Sequence, residues 1–327
     1  MFKLKLKSKL TRSARQNLVL FLILVLMIVF FGIVTQRFVT MTNMMNLARQ
    51  NVPNILIAVA MTFVIVSGAI DLSVGGLMAL SAIVYGYLCI WGVNPWLAFI
   101  MVIPLGILVG FINNTLIERL GIPAIMATMA TWLITSSLAL TLCKAIPISD
   151  PEVKPITVLN RIRFFGDNIP LALIIIIVVV AIFLLLGRFT LIGKYSTAIG
   201  GNPHAASLSG ILVRRWRLLF FSICSVCAAL SGVWQVARLG SADPKIGVGM
   251  EFSVITACIL GGVSIKGGQG TVLGVVIATC LLAVLTNGMQ MMGISPFYQQ
   301  VVIGVVLLGA VLINQLLNIH AMKKGSL

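Results

Sequence analysis

Ten apolar runs, separated by short polar segments, make up most of this sequence. A helix that crosses the hydrocarbon core of a membrane needs about 20 predominantly apolar residues. Nine of the runs are 16 to 21 residues long, which predicts an all-α, polytopic membrane protein with about ten transmembrane helices. The runs are Leu18–Val34, Pro53–Ile70, Gly76–Trp91, Trp96–Leu116, Pro123–Leu142, Pro170–Gly187, Leu218–Val236, Phe252–Val263, Val272–Met289 and Val301–Leu317.

The composition agrees with this class of protein. Of the 327 residues, 60% are hydrophobic and only 9% are charged. A soluble protein has roughly a quarter of its residues charged, because charged side chains cover its surface. Most of the surface of this chain must therefore face lipid.

The first and the eighth runs need separate interpretation. The first follows a leader that contains six basic residues and no acid. It is too long for a signal peptide and lacks a small-x-small cleavage site, so we interpret it as an uncleaved transmembrane helix. The eighth run, Phe252–Val263, is too short to span a membrane unaided. It either spans together with neighbouring residues or forms a broken or re-entrant helix. We expect broken or short helices in this fold.

The charge balance gives the orientation. The chain has 23 Lys and Arg against 7 Asp and Glu, a formal net charge of +16, which in a soluble protein suggests nucleic acid. If the N-terminus lies in the cytoplasm, fifteen of the basic residues fall on the cytoplasmic side, as the positive-inside rule predicts. We therefore expect both termini in the cytoplasm and no nucleic-acid partner.

The expected organisation is a single transmembrane domain with short cytoplasmic ends. A basic leader covers residues 1–16, the membrane domain covers 17–320 and a tail covers 321–327. The longest cytoplasmic loop is residues 188–215.

The sequence contains no recognisable catalytic site. Both histidines, His204 and His320, lie in predicted cytoplasmic segments, and no carboxylates are paired at a useful spacing. A phosphate-binding loop is absent, because Gly187 and Gly193 enclose five residues rather than four and Tyr195 replaces the required Ser or Thr. We expect a chain that is not an enzyme and holds no metal or cofactor, so energy for transport must come from a partner or an ion gradient.

The first polar motif is SGAIDLSVGG, Ser67–Gly76, between the second and third runs. Asp71 is the only acid among the first 117 residues. An aspartate near the bilayer centre costs about 2.5–3.5 kcal/mol on insertion scales, so it should face protein or water. Asp71 is either part of a pathway or an N-cap near a membrane surface. The glycines that allow a break or a close backbone approach are Gly68, Gly75 and Gly76.

The second motif is GGVSIKGGQG, Gly261–Gly270, which closes the eighth run. Its five glycines and Lys266 predict a tight turn, which either lines a cytoplasmic vestibule or only connects two helices. The two glycine-rich breaks also fit corresponding positions in two related halves of a transporter. The glycines in the later part of the turn are Gly267, Gly268 and Gly270.

The third motif, Gly193–Ile211, lies in the longest cytoplasmic loop. Asn202 is a favourable N-cap for a short helix from His204 to Ser209. This helix is rich in alanine and carries little charge, which suits docking in a groove on a partner protein.

Taken together, these motifs resemble those of the permease subunit of ribose/monosaccharide-type bacterial ABC importers. SGAIDLSVGG is similar to the signature of that family after its second helix, with Ala69 where glycine is common. IGGNPHAASLSGI is similar to its cytoplasmic coupling segment. ARLGSADPKIGVGMEFSVITACILGGVSIKGGQGTVLG is similar to its C-terminal signature. The resemblance extends from about Phe38 to Asn314.

The resemblance implies a multi-pass protein of the bacterial inner membrane and an assembly in which this chain is one part. Two copies, or two related permeases, would form the pathway, a cytosolic ATPase would carry ATP and Mg, and a periplasmic binding protein would deliver the sugar. The family has ten helices with both termini in the cytoplasm, in agreement with the count above. The contact with the ATPase would fall on Gly200, Gly201, Asn202, Ala205, Ala206, Ser209 and Gly210.

Candidates for the translocation pathway are polar residues within the runs. Amides and hydroxyls suit sugar hydroxyl groups, but they also suit hydrogen bonds between helices. The candidates are Asp71, Ser73, Asn113, Asn114, Asn287 and Gln290. On the outer side, Glu152, Asp243 and Glu251 are either solvated loop charges or partners for basic residues of a binding protein.

Three other functions compete with a monosaccharide importer. A permease for autoinducer-2 would share these motifs and need similar polar groups. An ion-coupled secondary transporter needs several intramembrane ionisable residues, and only Asp71, Glu118 and Glu251 qualify. A structural membrane protein does not explain an acid beside a glycine-rich break.

Overall fold

The regular structure of this chain is almost entirely helical. The computed structural model describes residues 12–164 and 169–325. Within them the α-helices are α1 Arg12–Val34, α2 Met41–Val66, α3 Val74–Ile90, α4 Pro95–Glu118, α5 Ala124–Leu142, α6 Val158–Arg161, α7 Leu171–Phe189, α8 Leu191–Gly201, α9 Pro203–Leu208, α10 Val213–Leu239, α11 Met250–Leu260, α12 Val272–Met291 and α13 Pro296–Gly325.

The segment between α5 and α7 contains the remaining regular structure. A 3₁₀ helix, Pro151–Thr157, comes directly before α6. Two short strands, β1 Arg163–Phe164 and β2 Ile169–Pro170, pair in antiparallel register, with Arg163 opposite Pro170. This small pair leaves the all-α class unchanged.

Each of the ten apolar runs falls on a helix, which confirms a helical membrane protein. Seven helices in the described part of the chain, α1, α2, α4, α5, α7, α10 and α12, are long and apolar enough to cross a membrane. The other three, α3, α11 and the apolar part of α13, Pro296–Leu312, are shorter. Ten crossings and the cytoplasmic position of both termini stay predictions.

The predicted boundaries of the second run, Pro53–Ile70, are wrong at both ends. The helix begins twelve residues earlier, at Met41, where the hydroxyl of Thr40 accepts a hydrogen bond from the backbone N–H of Asn43 at 3.4 Å. Pro53 lies inside the helix, which membrane proteins tolerate because neighbouring helices satisfy the freed backbone groups. The helix ends at Val66, before the glycine-rich break.

The centre of the fold is formed by α2, α3 and α10. Most residues of these helices are buried, whereas few residues of α1 and α7 are. A helix that is apolar on all sides and exposed on most of them needs lipid around it. The central helices are therefore surrounded by protein, and the outer ones face the bilayer.

Two short helices meet near the middle of the membrane domain. Gly76, at the start of α3, packs against the backbone of Trp132 and the hydroxyl of Thr135, the twelfth residue of the 19-residue α5. Gly75 and Gly247 are in backbone contact, which places the approach to α11 beside the N-terminus of α3. The eleven residues of α11 extend about 16 Å, roughly half of the hydrocarbon core. Helix α11 therefore does not span the membrane by itself.

The contact between α4 and α10 depends on two glycines one turn apart. A Cβ atom on Gly106 would lie 2.8 Å from the Cα of Val226, and one on Gly110 would lie 2.7 Å from the Cα of Ser222. Small residues spaced four apart allow two membrane helices to approach this closely. The pair Gly106 and Gly110 therefore sets the distance between α4 and α10.

Replacing Gly110 by alanine tests this contact, because the new methyl group would meet backbone rather than a flexible side chain. Overpacking of this kind costs about 1–3 kcal/mol, so we expect a lower melting temperature of the purified protein in detergent. The matched control is Gly304→Ala in α13, where a Cβ atom meets nothing within 4 Å. Equal melting temperatures for both variants would contradict the close α4–α10 contact.

Candidate functional site

The three glycine-containing motifs meet at one place in the structure. The backbone N–H of Gly268 donates a hydrogen bond to the carbonyl oxygen of Val66 at 2.8 Å. A Cβ atom on Gly200 would overlap with that same carbonyl oxygen, and one on Gly267 would lie 3.0 Å from the Cα of Gly68. We call this contact between Val66, Gly68, Gly200, Gly267 and Gly268 the glycine junction.

Local sequence explains why the backbone is available here. Helix α2 ends because Ser67 and Gly68 follow Val66: the Ser67 hydroxyl donates to the carbonyl oxygen of Val64 at 2.7 Å, and Gly68 has a φ of +85°. The last carbonyl groups of a helix lack intrahelical partners. Gly268, with a φ of +76°, supplies the N–H that satisfies one of them.

The remaining glycines of the first two motifs are also in close contact. A Cβ atom on Gly270 would lie 2.8 Å from a methyl group of Val66, at the same end of α2 as the glycine junction. Gly75 and Gly76 instead lie at the start of α3, against α5 and the approach to α11. The first motif therefore contacts two different regions, one at each of its ends.

The segment expected as a cytoplasmic loop is largely helical, as α8 and α9. The short helix predicted after Asn202 is confirmed: the side-chain oxygen of Asn202 accepts a hydrogen bond from the backbone N–H of Ala205 at 3.0 Å. Helix α9 begins at Pro203 and ends at Leu208, one residue earlier at each end than predicted. Leu208, the last residue of α9, is 78% exposed.

The predicted coupling residues divide into two groups. Gly201, Asn202, Ala205, Ser209 and Gly210 are exposed and accessible to a partner. Ala206 is buried and Gly200 lies in the glycine junction, so both face the chain itself. Their contribution to coupling would be to hold α8 and α9 in position.

An ion pair that the sequence did not predict lies beside the glycine junction. Arg217, in α10, lies 2.6 Å from the carboxylate of Glu118, at the end of α4, and its other terminal nitrogen donates to the carbonyl oxygen of Ser67 at 3.1 Å. Arg214 donates to the backbone carbonyl of Glu118 at 3.1 Å. The scarcity of acids was the one signal that pointed to Glu118.

Three of the six pathway candidates form one hydrogen-bonded group. The Oδ1 atom of Asp71 accepts from the backbone N–H and the hydroxyl of Ser73, at 2.9 and 2.5 Å. The amide of Asn113 donates to the same hydroxyl at 2.9 Å. The second carboxylate oxygen of Asp71 and the side-chain oxygen of Asn113 have no hydrogen-bond partner among the described residues.

Asp71 is not an N-cap residue at a membrane surface. Its side chain is fully buried, and it closes a turn two residues ahead of Ser73, the residue that precedes α3. Helix α3 itself begins level with the middle of α5. The carboxylate is therefore inside the protein, where its hydrogen bonds stabilise the break between α2 and α3.

The other three candidates lie elsewhere. Asn114 is buried, and its side-chain oxygen has no hydrogen-bond partner in the described residues. Asn287 exchanges two hydrogen bonds with Asn43, at 2.9 and 3.2 Å, and so fits the alternative of a bond between helices. Gln290 is exposed. A pathway role for these residues stays a prediction.

The expectation that Glu251 is an accessible outer charge is wrong. Its side chain is only 3% exposed and lies against Gly75, because the glycine-containing loop before α11 folds inward. Glu152 is exposed and Asp243 is partly buried. A hydrogen bond and the negative charge of Asp150 raise the pKa of Glu152. Glu152 is therefore the exposed acid among these three, and the partly buried Asp150 lies beside it.

The described residues contain no group of three or more His, Cys, Asp or Glu side chains able to hold a metal ion. The chemistry that the structure offers at these sites is hydrogen bonding by amides, hydroxyls and backbone groups. Any mechanical connection between the three motifs depends on the backbone contact at the glycine junction.

The comparisons with known proteins place the chain among transport permeases. Residues 43–311 match the family described as branched-chain amino acid transport system / permease component. The chain is 37% identical over 301 residues to a ribose import permease protein of Bacillus subtilis, which covers 92% of this chain and 93% of the relative. It is 33% identical to a D-allose transport system permease protein of Escherichia coli, covering 91% of each chain. It is 29% identical to a fructose import permease protein of Rhizobium meliloti, covering 90% and 84%.

No solved structure matches the chain. The long apolar helices and these relatives define a multi-pass transport component of the bacterial inner membrane, a class of protein that is not an enzyme. The chain belongs to the family of permease components of the branched-chain amino acid transport type. The resemblance to ribose-type permeases that the motifs indicated is confirmed.

Adjacent glycines allow a matched test of the glycine junction. We expect Gly200→Ala to displace α8 from Val66 and to break the hydrogen bond between Gly268 and Val66. Gly201→Ala is the control, since a Cβ atom there meets nothing within 4 Å. Hydrogen–deuterium exchange should show faster exchange across Gly261–Gly270 in the first variant alone. Unchanged exchange in both variants would show that the junction is not tightly packed.

Asp71 allows a separate test of the break before α3. Asp71→Asn keeps an oxygen for Ser73, so we expect a free energy of unfolding close to that of the natural chain. Asp71→Ala leaves the buried N–H of Ser73 without an acceptor, which costs about 1–3 kcal/mol. Denaturant unfolding in detergent measures both variants. Equal destabilisation would show that the negative charge, rather than the hydrogen bonds, stabilises the break.

Proposed function

We propose that this chain is the membrane-spanning subunit of an ATP-binding-cassette importer for a monosaccharide of the ribose type. The glycine junction is the observation that carries the mechanical part of this proposal. It joins an exposed docking helix, α9, through α8 to the end of α2 and to the turn between α11 and α12. The sugar comes from the relatives, which are named for ribose, D-allose and fructose import.

The proposed assembly contains two permeases and two kinds of partner. Two copies of the chain, or one copy and a related permease, form the pathway, each with about ten crossings and both termini in the cytoplasm. A cytosolic ATPase, which binds ATP and Mg, docks on the exposed residues of α9. A periplasmic binding protein delivers the sugar and meets the outer loops, where Asp150 and Glu152 offer an acidic contact.

The backbone contacts determine how movement of α9 would reach the membrane domain. Helix α9 follows α8 after Asn202 alone, so a displacement of one carries the other. At Gly200 the backbone of α8 touches the carbonyl oxygen of Val66, and no flexible side chain lies between them. A tightly packed contact transmits displacement instead of absorbing it. Closure of the ATPase would therefore move the ends of α2, α11 and α12.

Two alternatives receive less support. The named relatives are sugar permeases, which does not favour autoinducer-2. An ion-coupled transporter needs titratable groups within the pathway, whereas Glu118 is paired with Arg217. Uptake into vesicles separates the mechanisms, since an ABC importer requires ATP and a binding protein and an ion-coupled transporter requires only a gradient.

Two exposed leucines test the docking role of α9. We expect Leu208→Glu to abolish sugar uptake and the stimulation of ATP hydrolysis by the binding protein, because a charge would enter the contact with the ATPase. Leu208 is 78% exposed, so the permease itself should fold normally. The control is Leu120→Glu, since Leu120 is 66% exposed in the turn between α4 and α5.

The readouts are uptake of labelled D-ribose in proteoliposomes and the amount of ATPase that purifies with the permease. Leu120→Glu should retain both. Normal uptake by Leu208→Glu would remove α9 from the contact with the ATPase. Uptake driven by a proton gradient without ATP would overturn the ABC mechanism itself.

A further inference from the structure

A polar chamber that is open on one side lies among the helices of this domain. It has a volume of about 220 Å³ and lies between α2, α13 and the start of α11. Its polar side chains are Asn54, Ser253, Gln299 and Gln300. None of them was among the residues that the sequence suggested for the pathway.

A narrow crevice continues from this chamber. It has a volume of about 50 Å³ and shares Asn54, Ser253 and Ile303 with the chamber. Its far end reaches α12, where it is lined by Thr279 and Thr286. The two spaces therefore form one path between α2, α11, α12 and α13, wide at one end and narrow at the other.

The chamber has unused hydrogen-bonding capacity. The side-chain amides of Asn54 and Gln300 make no hydrogen bond within the part of the chain that the structure describes. The Gln299 amide donates to the carbonyl oxygen of Ile294 at 2.9 Å, and the Ser253 hydroxyl donates to that of Gly249 at 3.2 Å. Both side chains keep oxygen lone pairs free to accept. The lining can therefore donate hydrogen bonds to a sugar hydroxyl and also accept hydrogen bonds from it.

The lining also selects for a neutral ligand. No charged side chain is among the described residues that line the chamber or the crevice. Helix α11 begins at the chamber, and the N-terminus of a helix attracts anions, but Glu251 already places a carboxylate in its first turn. A buried charged ligand needs a paired opposite charge. An amino acid therefore fits this chamber less well than an uncharged polyol.

The volumes assign different roles to the two spaces. Pockets for drug-sized ligands measure roughly 300–1,000 Å³, so about 220 Å³ suits a smaller molecule such as a monosaccharide. The crevice of about 50 Å³ holds only one or two waters at ~30 Å³ each. Val254, Ala257, Leu282 and Ala283 line it and close it to a sugar.

We propose that the chamber is a binding station for a monosaccharide that each chain contributes to the pathway formed by the two permeases, and that the crevice is the closed inner end of this station. This inference rests on the proposed function, since it assigns the residues that the imported sugar would contact. Contacts by a few neutral groups are weak, which allows the sugar to leave as well as enter.

Alanine variants in the assembled transporter test the chamber. We expect Asn54→Ala and Gln300→Ala each to reduce uptake of D-ribose, D-allose or D-fructose by about three- to tenfold, the effect of one lost hydrogen bond. Stimulation of ATP hydrolysis by the binding protein should persist, because the glycine junction is intact. The matched control is Asn46→Ala, an exposed asparagine in α2 that is not among the residues lining the chamber, and it should import normally.

Thiol labelling gives a second readout. We expect Ser253→Cys to react with a water-soluble maleimide applied from outside, and each imported sugar to slow the reaction. The six natural cysteines are buried or partly buried, so the unmodified chain measures the background. Protection by sugar but not by leucine would support a polyol site, and protection by leucine instead would overturn it.

The outcomes for the chamber and for the proposed function are distinguishable. If the natural chain imports no sugar with its ATPase and binding protein, the proposed function fails. If it imports sugar, and Gln300→Ala imports as well as Asn46→Ala, the chamber is not on the path while the proposed function stands. Gln300 is exposed at the mouth of the chamber, so this variant should fold even if Asn54→Ala does not.

Discussion

The contact between the backbone of α8 and the end of α2 is the constraint on which the arrangement of this domain depends. Gly200 can lie against the carbonyl oxygen of Val66 only because it has no side chain, and Gly268 can donate to the same oxygen only with a positive φ. Arg217 holds the neighbouring carbonyl of Ser67. The free end of α2 is thus satisfied by two other segments, and it cannot move without them.

The second constraint is the break in the centre of the domain. Non-helical backbone at membrane depth is tolerated only where protein or water surrounds it. Here the polar side chains between α2 and α3 are buried, and Asp71, Ser73 and Asn113 form hydrogen bonds with one another. The approach to α11 contacts the first turn of α3, where Gly247 meets Gly75. The non-helical segment between α2 and α3 and the one before α11 therefore lie in the same interior region. Contacts within the protein take the place of contacts with water there.

Sequence reasoning predicted the local features well and the long-range ones poorly. Apolar runs locate the helices, and Asn202 marks the start of α9, because these signals lie within a few neighbouring residues. The start of α2 was missed, since polar residues such as Arg49 lower the hydropathy of a segment that the structure shows as helix. The meeting of Gly200 with Gly268 and the burial of Glu251 depend on tertiary packing. Asn54 and Gln300 carry no pattern that separates them from other amides.

The acids of the membrane domain lie outside the chamber, and neutral groups line it. Of the acids in or near the membrane domain, Glu118 is paired with Arg217, while Asp71 and Glu251 are enclosed by packing. Helix α2 carries Val66 at the glycine junction and Asn54 at the chamber, about 18 Å apart along its axis. The turn that contains Gly268 joins α11 to α12, the two helices that line the crevice. A displacement at the junction would therefore reach both walls of the crevice directly, and widening the crevice would change the contacts that hold an uncharged sugar in the chamber.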